Sequence, residues 1–321
     1  MTAWLAQHLA IFMFLALGIA LFSGLPVGFV LGGIAVLFGV AATFLDQFQP
    51  IQFLNLLPRM WGGVAANPVL VAIPMFIFMG MVLERSGIAH ELLHCLQVLT
   101  RGIPGGLAMS VTLMGTIMAA TTGIVGASVI MLTLIALPSM LERGYRKELA
   151  VGTIASAGTL GILIPPSIML VVMGDLLQVS VGALFAAALA PGLLLSALYL
   201  LYIGALSWLR PALAPALPAD IGPKSRREFW AMVGKGFLPP VFLVALVLGS
   251  IYGGWATPTE AAGVGAAGAL LLAAVRAKLD RKTMREVIEQ AGLTNAMVFF
   301  LFFGATMFSY VFRALGGDDI V

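Results

Sequence analysis

Two consecutive prolines, Pro165 and Pro166, interrupt a helical apolar stretch over residues 149–177. Proline has no backbone N–H to donate, and it disfavours the α-helical conformation of the residue before it, so Ile164 and Pro165 are expected to be extended. The apolar run on either side of the prolines is too short to cross a bilayer comfortably. The pattern predicts a broken helix, whose exposed carbonyl and N–H groups can bind cations and anionic substrates.

The composition defines the class of protein in which this break occurs. Of the 321 residues, 61% are hydrophobic and 10% are charged, whereas soluble domains average about a quarter charged residues. Several apolar runs reach the length of a membrane-spanning helix, and they lack the alternation of polar and apolar residues typical of barrel strands. We therefore predict an all-α polytopic membrane protein. Its single cysteine allows no internal disulfide, and it has no glycine-rich phosphate loop for ATP hydrolysis.

The positions of the basic residues indicate how the helices are threaded. Placing all four basic clusters in the cytoplasm satisfies the positive-inside rule with one threading, in which the N-terminus lies outside. The charge-free segment 106–141 must then enter and leave on the same side, which two full spans and a re-entrant hairpin both satisfy. Thr, Gly and Ser residues at 121–128 favour a buried hairpin tip over a solvated loop. The four clusters are Arg85 and Arg101; Arg143, Arg146 and Lys147; Arg210 to Lys235; and Arg276 to Arg285.

A short internal similarity suggests an inverted repeat. Phe-Ile-Phe-Met-Gly at 76–80 resembles Phe-Leu-Phe-Phe-Gly at 300–304, and the threading runs these two helices in opposite directions. An interfacial helix is expected before each one, at 49–61 and at 283–291. A hairpin and a broken helix follow the first copy, whereas the chain ends soon after the second. We therefore expect the chain to lack most of its second repeat.

A zinc-protease pattern in the sequence supplies the alternative function. Residues 90–94 read His-Glu-Leu-Leu-His and match H-E-x-x-H, which places two imidazoles on one helical face. A catalytic zinc needs a third protein ligand, and the only other histidine is His8. The alternative is therefore an intramembrane zinc metalloprotease that uses His90, Glu91 and His94.

Glu260 lies in an apolar region, where an acidic residue often marks a functional site. The sequence Thr-Pro-Thr-Glu at 257–260, however, has the form of a capping box with proline at the first helical position. We predict that Glu260 caps a helix at the outer membrane face.

Seven short segments, taken in order, resemble the large membrane subunit of tripartite ATP-independent periplasmic (TRAP) transporters. The resemblance covers residues 68–209 and extends more loosely to 275. No single segment is decisive, but their order and spacing together are specific. The segments are Ile-Pro-Met-Phe-Ile-Phe-Met-Gly at 73–80, Thr-Thr-Gly-Ile-Val-Gly-Ala-Ser at 121–128, Leu-Pro-Ser-Met at 137–140, Arg-Gly-Tyr at 143–145, Ala-Gly-Thr-Leu-Gly at 157–161, Ile-Pro-Pro-Ser at 164–167 and Ala-Thr-Pro-Thr-Glu-Ala-Ala at 256–262.

The resemblance implies sodium-coupled uptake of organic acids, of dicarboxylate type, across the bacterial inner membrane. Sodium would be the coupling ion, and neither an organic cofactor nor an enzymatic activity is implied. The implied partners are a small four-helix membrane subunit, a periplasmic solute-binding protein, the organic acid and membrane lipids, with no nucleic acid. A carrier of related architecture that works without a binding protein stays open as a further alternative.

The resemblance also implies an architecture in which scaffold helices surround a mobile transport domain that moves as an elevator. Hairpins and broken helices occur there in inverted repeats. The implied regions are N-terminal scaffold helices and an interfacial helix at 1–66; a first transport-domain repeat at 67–180, with a re-entrant hairpin at 104–141 and the Pro-broken helix at 149–177; further scaffold helices at 181–282; and an incomplete second repeat at 283–321.

In the family, the first hairpin tip meets the matching broken helix to form a sodium site beside the substrate. Sodium favours oxygen ligands, which carbonyl groups and Thr or Ser hydroxyls supply. Ser167 is expected to cap the half-helix after the break. The structural alternative is a proline kink whose neighbouring hydroxyls bond back to the helix. The predicted substrate-binding residues are Thr121, Thr122, Gly123, Pro166 and Ser167, and the predicted sodium ligands are Thr122, Gly126, Ser128, Thr159, Gly161 and Pro165.

Overall fold

The computed structural model describes residues 8–122, 125–218, 222–223, 225–276 and 279–319, and every regular element in these ranges is a helix. Five of the described helical segments are long and apolar enough to cross a membrane, and a bent pair of helices would make a sixth span. The all-α polytopic class predicted from the composition is therefore confirmed.

The helices alternate with short turns along the chain. The α-helices are α1 (Leu9–Leu21), α2 (Val27–Phe44), α3 (Leu56–Met60), α4 (Ala72–Arg85), α5 (Ile88–Thr100), α6 (Gly106–Thr122), α7 (Val125–Glu142), α8 (Lys147–Thr159), α9 (Ile168–Leu176), α10 (Val181–Leu209), α11 (Arg226–Met232), α12 (Leu238–Tyr252), α13 (Pro258–Val275) and α14 (Arg281–Ala314). Short 3₁₀ segments occur at Pro50–Asn55, Leu160–Ile162, Pro211–Leu213 and Gly317–Asp319, and π-helical turns at Trp61–Ala65 and Val233–Phe237.

The chain forms two compact units. The smaller unit comprises Met1–Pro68 and Gly292–Val321, and the larger unit comprises Val69–Ala291. The core of the smaller unit is a cluster of apolar side chains from α1, α2 and the second part of α14. The larger unit contains the hairpin and the broken helix, so it holds every residue that the sequence predicts for the ion and substrate sites.

Within the smaller unit, glycines let α2 and α14 approach closely. A Cβ atom on Gly304 would lie 2.6 Å from the carbonyl oxygen of Gly28. Tyr310, also on α14, accepts a hydrogen bond of 3.3 Å from the side chain of Asn55, and the guanidinium of Arg59 lies 4.6 Å from the centre of its ring. Small residues at helix crossings and cation–π contacts stabilise membrane bundles, where lipid provides no hydrophobic drive between helices.

In the larger unit, α4 and α5 are bent by 63° relative to each other. The turn between them requires Gly87, whose φ of +72° lies in the left-handed region that L side chains rarely adopt. The second helix, α5, buries one face and exposes His90 and His94 on the other. This helix is therefore short and amphipathic.

The division of the last helical region was predicted wrongly. The sequence suggested a separate interfacial helix at 283–291 before the helix that contains residues 300–304, but α14 is one continuous helix of 34 residues. Gly292 is the weakest helix former between the two parts, and a single glycine costs a helix about 1 kcal/mol without ending it. On the polar first part, the side chains of Arg285 and Glu289 form an (i, i+4) ion pair of 2.6 Å.

The capping box at the start of α13 is confirmed. The Thr257 backbone N–H donates to the Glu260 carboxylate at 2.8 Å, and the Glu260 N–H donates to the Thr257 hydroxyl at 3.3 Å. Pro258 occupies the first helical position, where its missing N–H leaves no bond unmade. Glu260 therefore caps the N-terminus of α13.

Replacing Thr257 by alanine removes the hydroxyl that accepts the Glu260 N–H. We expect Thr257→Ala to lower the free energy of unfolding by about 1 kcal/mol, as is typical of lost N-caps. Thr257→Ser keeps the hydroxyl and should stay within a few tenths of a kcal/mol of the wild type. Thermal unfolding of the purified chain in detergent measures both, and equal losses for the two variants would contradict the capping role.

Candidate functional site

The broken helix predicted from Pro165 and Pro166 is present. The α-helix α8 ends at Thr159, tightens into the 3₁₀ turn Leu160–Ile162, and helical structure resumes with α9 at Ile168. The Leu160 carbonyl accepts from the N–H groups of both Leu163, at 3.0 Å, and Ile164, at 2.9 Å. The helix therefore ends in one tightened turn before the prolines.

The two prolines remove the helical donors of two specific carbonyl groups. In a continuous α-helix, residue 165 would donate to the Gly161 carbonyl and residue 166 to the Ile162 carbonyl. Both positions are proline and have no N–H. The Ile162 carbonyl instead accepts from the Ser167 hydroxyl at 2.9 Å. The Gly161 carbonyl loses its helical donor and, as a hard oxygen, is the kind of ligand that sodium prefers.

The predicted capping role of Ser167 is wrong in one respect. Ser167 occupies the N-cap position of α9 with an extended backbone, φ −119° and ψ 131°, but its side chain makes no capping hydrogen bond. The hydroxyl is fully buried and donates backward across the break to Ile162, so it ties the two half-helices together. The first N–H groups of α9 therefore receive no side-chain cap from Ser167.

The hairpin consists of α6 and α7, joined at residues 123 and 124. Gly123 lies outside the described residues, as do the side chains of Thr121 and Thr122 at the end of α6. Gly126, in the first turn of α7, is exposed, and a Cβ atom on it would have no neighbour within 4 Å. Ser128, one turn into α7, is buried.

Both hairpin helices pack against the last turn of α8. A Cβ atom on Gly158 would lie 3.2 Å from the Cα atom and the backbone nitrogen of Val129 in α7. A Cβ atom on Gly115 in α6 would lie 2.8 Å from the Ala157 side chain and 2.9 Å from its carbonyl oxygen. These contacts need glycine at both positions, and they bring the start of α7 to the end of α8.

Apart from Thr122, the predicted sodium ligands therefore lie in three places. Ser128 and Thr159 directly neighbour Val129 and Gly158, so they lie where α7 and α8 meet. The Thr159 hydroxyl donates to the Ser156 carbonyl at 2.7 Å, which leaves its lone pairs able to accept. Gly161 and Pro165 are buried at the break itself, next to the predicted substrate residue Pro166, whereas exposed Gly126 lies away from these contacts.

The turn before α8 also fixes the base of the hairpin. Tyr145, in the loop between α7 and α8, is buried, and its hydroxyl accepts from the Leu107 N–H at 3.2 Å. Burial raises the pKa of this phenol above its usual value. Because Leu107 lies in the first turn of α6, this hydrogen bond connects the start of the hairpin to the loop that precedes the broken helix.

One further helix encloses the break, and sequence reasoning missed it. A Cβ atom on Gly192 in α10 would lie 2.8 Å from the Ile164 side chain and 3.3 Å from the Leu163 carbonyl oxygen. One turn later, the Ser196 hydroxyl lies 2.5 Å from the Thr116 hydroxyl of α6. The available signal was the Pro-Gly pair at 191–192, inside an apolar run otherwise long enough to be a plain span.

The zinc-protease alternative is not supported. Glu91 forms an ion pair of 2.8 Å with Arg276, which occupies the carboxylate expected to act as the general base. His90 and His94 are exposed on α5. Among the residues that the structure describes, no three His, Cys, Asp or Glu side chains are grouped closely enough to hold a metal ion.

A helical hairpin packed against a broken helix, in a chain of apolar spans, is the arrangement typical of secondary transporters. The family model of the tripartite ATP-independent periplasmic transporter DctM component matches residues 11–320, so the chain belongs to this family. Family membership and the candidate spans together place it in the inner membrane, as predicted.

Curated relatives share this family name. The C4-dicarboxylate TRAP transporter large permease proteins of Pseudomonas aeruginosa and Vibrio cholerae are 35% and 34% identical, over 75% and 78% of this chain. The Escherichia coli 2,3-diketo-L-gulonate TRAP transporter large permease protein is 29% identical over 91% of this chain and 66% of its own length. The chain spans about half the length of the first two relatives, 55% and 54%. All three are named as permeases, which agrees with the prediction that the chain is not an enzyme.

Two glycines of α8 make a matched test of the packing at the break. Gly158→Ala places a methyl group against the Val129 backbone and should lower the free energy of unfolding by about 1–3 kcal/mol. Gly152→Ala, six residues earlier, adds the same methyl group into open space, and should stabilise by up to about 1 kcal/mol through helix propensity. Thermal unfolding in detergent distinguishes them, and equal effects of the two changes would contradict the close contact at Gly158.

Proposed function

We propose that this chain acts within the large permease of a sodium-coupled TRAP transporter that takes up organic acids. The observation that carries the proposal is the packing of the hairpin helices against the last turn before the Pro165–Pro166 break, in a chain of the DctM family. In this proposal the segment 67–180 is the moving part and carries the ion and substrate like an elevator.

The break offers opposite partial charges to two kinds of ligand. The carbonyl end of α8 carries the negative end of a helix dipole, which favours a cation beside Thr159 and Gly161. The N-terminus of α9 carries the positive end and unpaired N–H groups, which favour a carboxylate beside Pro166 and Ser167. One interrupted helix can thus hold a sodium ion and an organic acid next to each other, and each neutralises part of the other's charge.

The proposed substrate class comes from the names of the relatives, and the proposed partners come from the tripartite family. Two relatives are named for C4-dicarboxylates and one for 2,3-diketo-L-gulonate, so an organic acid is the proposed cargo. A periplasmic solute-binding protein would deliver it, and a small membrane subunit would complete the permease. Thr121, Thr122 and Gly123 at the hairpin tip stay the predicted substrate contacts.

Transport by the assembled system tests the proposal as a whole. The full-length permease, its small subunit and the solute-binding protein are reconstituted in liposomes, and uptake of a radiolabelled C4-dicarboxylate is measured with an inward sodium gradient. We expect uptake that requires both sodium and the binding protein. Equal uptake with a potassium gradient would overturn sodium coupling, and uptake without the binding protein would favour the carrier that works alone.

Sodium binding by the chain itself is predicted to involve the Thr159 hydroxyl. Sodium should raise the unfolding temperature more than potassium at equal ionic strength, because a ligand that binds only the folded state stabilises it. Thr159→Val removes one oxygen ligand and should raise the sodium concentration needed for half of this effect by about tenfold, equivalent to about 1.4 kcal/mol.

The matched control is Thr133→Val in α7. The hydroxyls of Thr133 and Thr159 are both half-buried and each donates to a helix carbonyl at 2.7 Å, so the two changes remove equivalent backbone bonds. Thr133→Val should leave the sodium midpoint unchanged. A shift of the same size in both variants would assign the effect to helix stability and remove Thr159 from the sodium site.

A further inference from the structure

A cavity of about 380 Å³ opens between α6, α8 and α10 in the larger unit. It lies toward the Arg146 end of α8, and its lining combines apolar side chains such as Leu149 and Leu206 with two arginines and several hydroxyls. None of the residues predicted for the sodium or substrate site lines it. The cavity therefore needs an explanation of its own.

The interior of this cavity holds a hydroxyl without a partner. Thr153 is only 5% exposed, and its Oγ1 atom has no hydrogen-bond partner in the described part of the chain. Thr112, which also lines the cavity, donates to the Ala108 carbonyl at 3.1 Å, so its own hydroxyl is satisfied. A buried polar group without a partner is costly, and such groups are usually paired with a protein group, water or a ligand. The Thr153 hydroxyl lies just behind the cavity wall, where rotation of the side chain would bring it to a polar occupant.

Two arginines line the same cavity because the backbone holds their segments together. The Arg146 N–H donates to the Leu213 carbonyl at 3.0 Å, which fixes the 3₁₀ turn after α10 against the start of α8. Arg146 also pairs with Glu148 at 2.9 Å, whereas Arg210 has no ion-pair partner among the described residues. Two arginines and one glutamate leave the lining with a net charge of +1, so the cavity favours an anion.

The position of the cavity on the membrane spans identifies the source of that anion. Arg210 directly follows α10, a candidate span of 29 residues, and Trp208 near its end is 79% exposed. Tryptophan and arginine at the end of a span mark the level of the lipid headgroups. Tyr202, on the cavity wall, is 65% exposed, so the cavity opens sideways to the surroundings of the helix.

We propose that this cavity binds the headgroup of an anionic phospholipid. The phosphodiester group contacts the guanidinium groups of Arg210 and Arg146, whose planar forks suit phosphate oxygens. A headgroup hydroxyl, as in phosphatidylglycerol, supplies the missing hydrogen bond of Thr153 once that side chain rotates toward the cavity. The acyl chains leave the cavity along Leu206 and the exposed face of α10. This site does not depend on the proposed sodium-coupled transport.

Native mass spectrometry of the full chain in detergent measures the retained lipid directly. With equimolar phosphatidylglycerol and phosphatidylcholine, we expect the wild type to retain phosphatidylglycerol preferentially. Arg210→Ala should weaken that retention by about fivefold or more, since a charge-assisted contact to phosphate is lost. Glu148→Gln should strengthen it, because the lining gains net positive charge. Equal retention of the two lipids would overturn the proposal.

Two further variants separate the cavity from the surface charge. Gly152→Leu places a side chain into the open space of the cavity and should abolish retention, whereas Gly263→Leu on α13, also facing open space, should not. Thr153→Val removes the unpaired hydroxyl and should lower phosphatidylglycerol retention without lowering the unfolding temperature of the lipid-free chain. Retention that survives both Gly152→Leu and Thr153→Val would place the lipid elsewhere and overturn the assignment.

Competition identifies the bound chemical group. Glycerol 1-phosphate, inorganic phosphate and a C4-dicarboxylate are each added to the chain that carries phosphatidylglycerol. Displacement only by excess phosphatidylglycerol, or weakly by glycerol 1-phosphate, supports a lipid site. Displacement by the dicarboxylate at lower concentration than by glycerol 1-phosphate would assign the cavity to an organic acid and overturn the lipid proposal.

Discussion

A helix interrupted inside a membrane bundle exposes backbone groups that lipid cannot hydrogen-bond, so protein must enclose the interruption. The larger unit meets this constraint with glycine at three helix contacts around the Pro165–Pro166 break. Gly115 lets α6 approach the end of α8, Gly158 lets α7 do so from another side, and Gly192 lets α10 approach Leu163. Backbone is therefore packed against backbone and short side chains around the break.

The same break distributes its freed carbonyl groups unequally. The prolines deprive two carbonyls of helical donors, and the buried Ser167 hydroxyl satisfies that of Ile162. The Gly161 carbonyl also loses its helical donor, and no hydroxyl from Ser167 replaces it. The Ser167 side chain, which crosses the break, thus ties the two half-helices together.

The features that the sequence predicted correctly depend on local chemistry. Proline lacks an N–H wherever it stands, so the break at 165–166 and the cap at Thr257 could be placed without the fold. The direction of the Ser167 hydroxyl could not be predicted. It can accept from the first N–H groups of α9 or donate back to the Ile162 carbonyl, and only the folded chain shows which bond forms. The end of an interfacial segment could not be placed either, since nothing between residues 291 and 295 stops α14. The contact of α10 with the break could not be predicted for a third reason. Contacts between segments far apart in the sequence produce no periodic pattern within a uniformly apolar run.

Helix α10 contacts both the break and the cavity through one of its faces. Gly192, Ser196, Tyr199 and Ile203 follow one another at spacings of four, three and four residues, which places them in line on α10. The first two meet the break and α6, and the last two line the cavity. Tyr199 also packs against the buried Leu160 cluster beside the break. An occupant of the cavity would therefore contact a side chain that already supports the break, and any displacement of α8 along α10 must change both sets of contacts together.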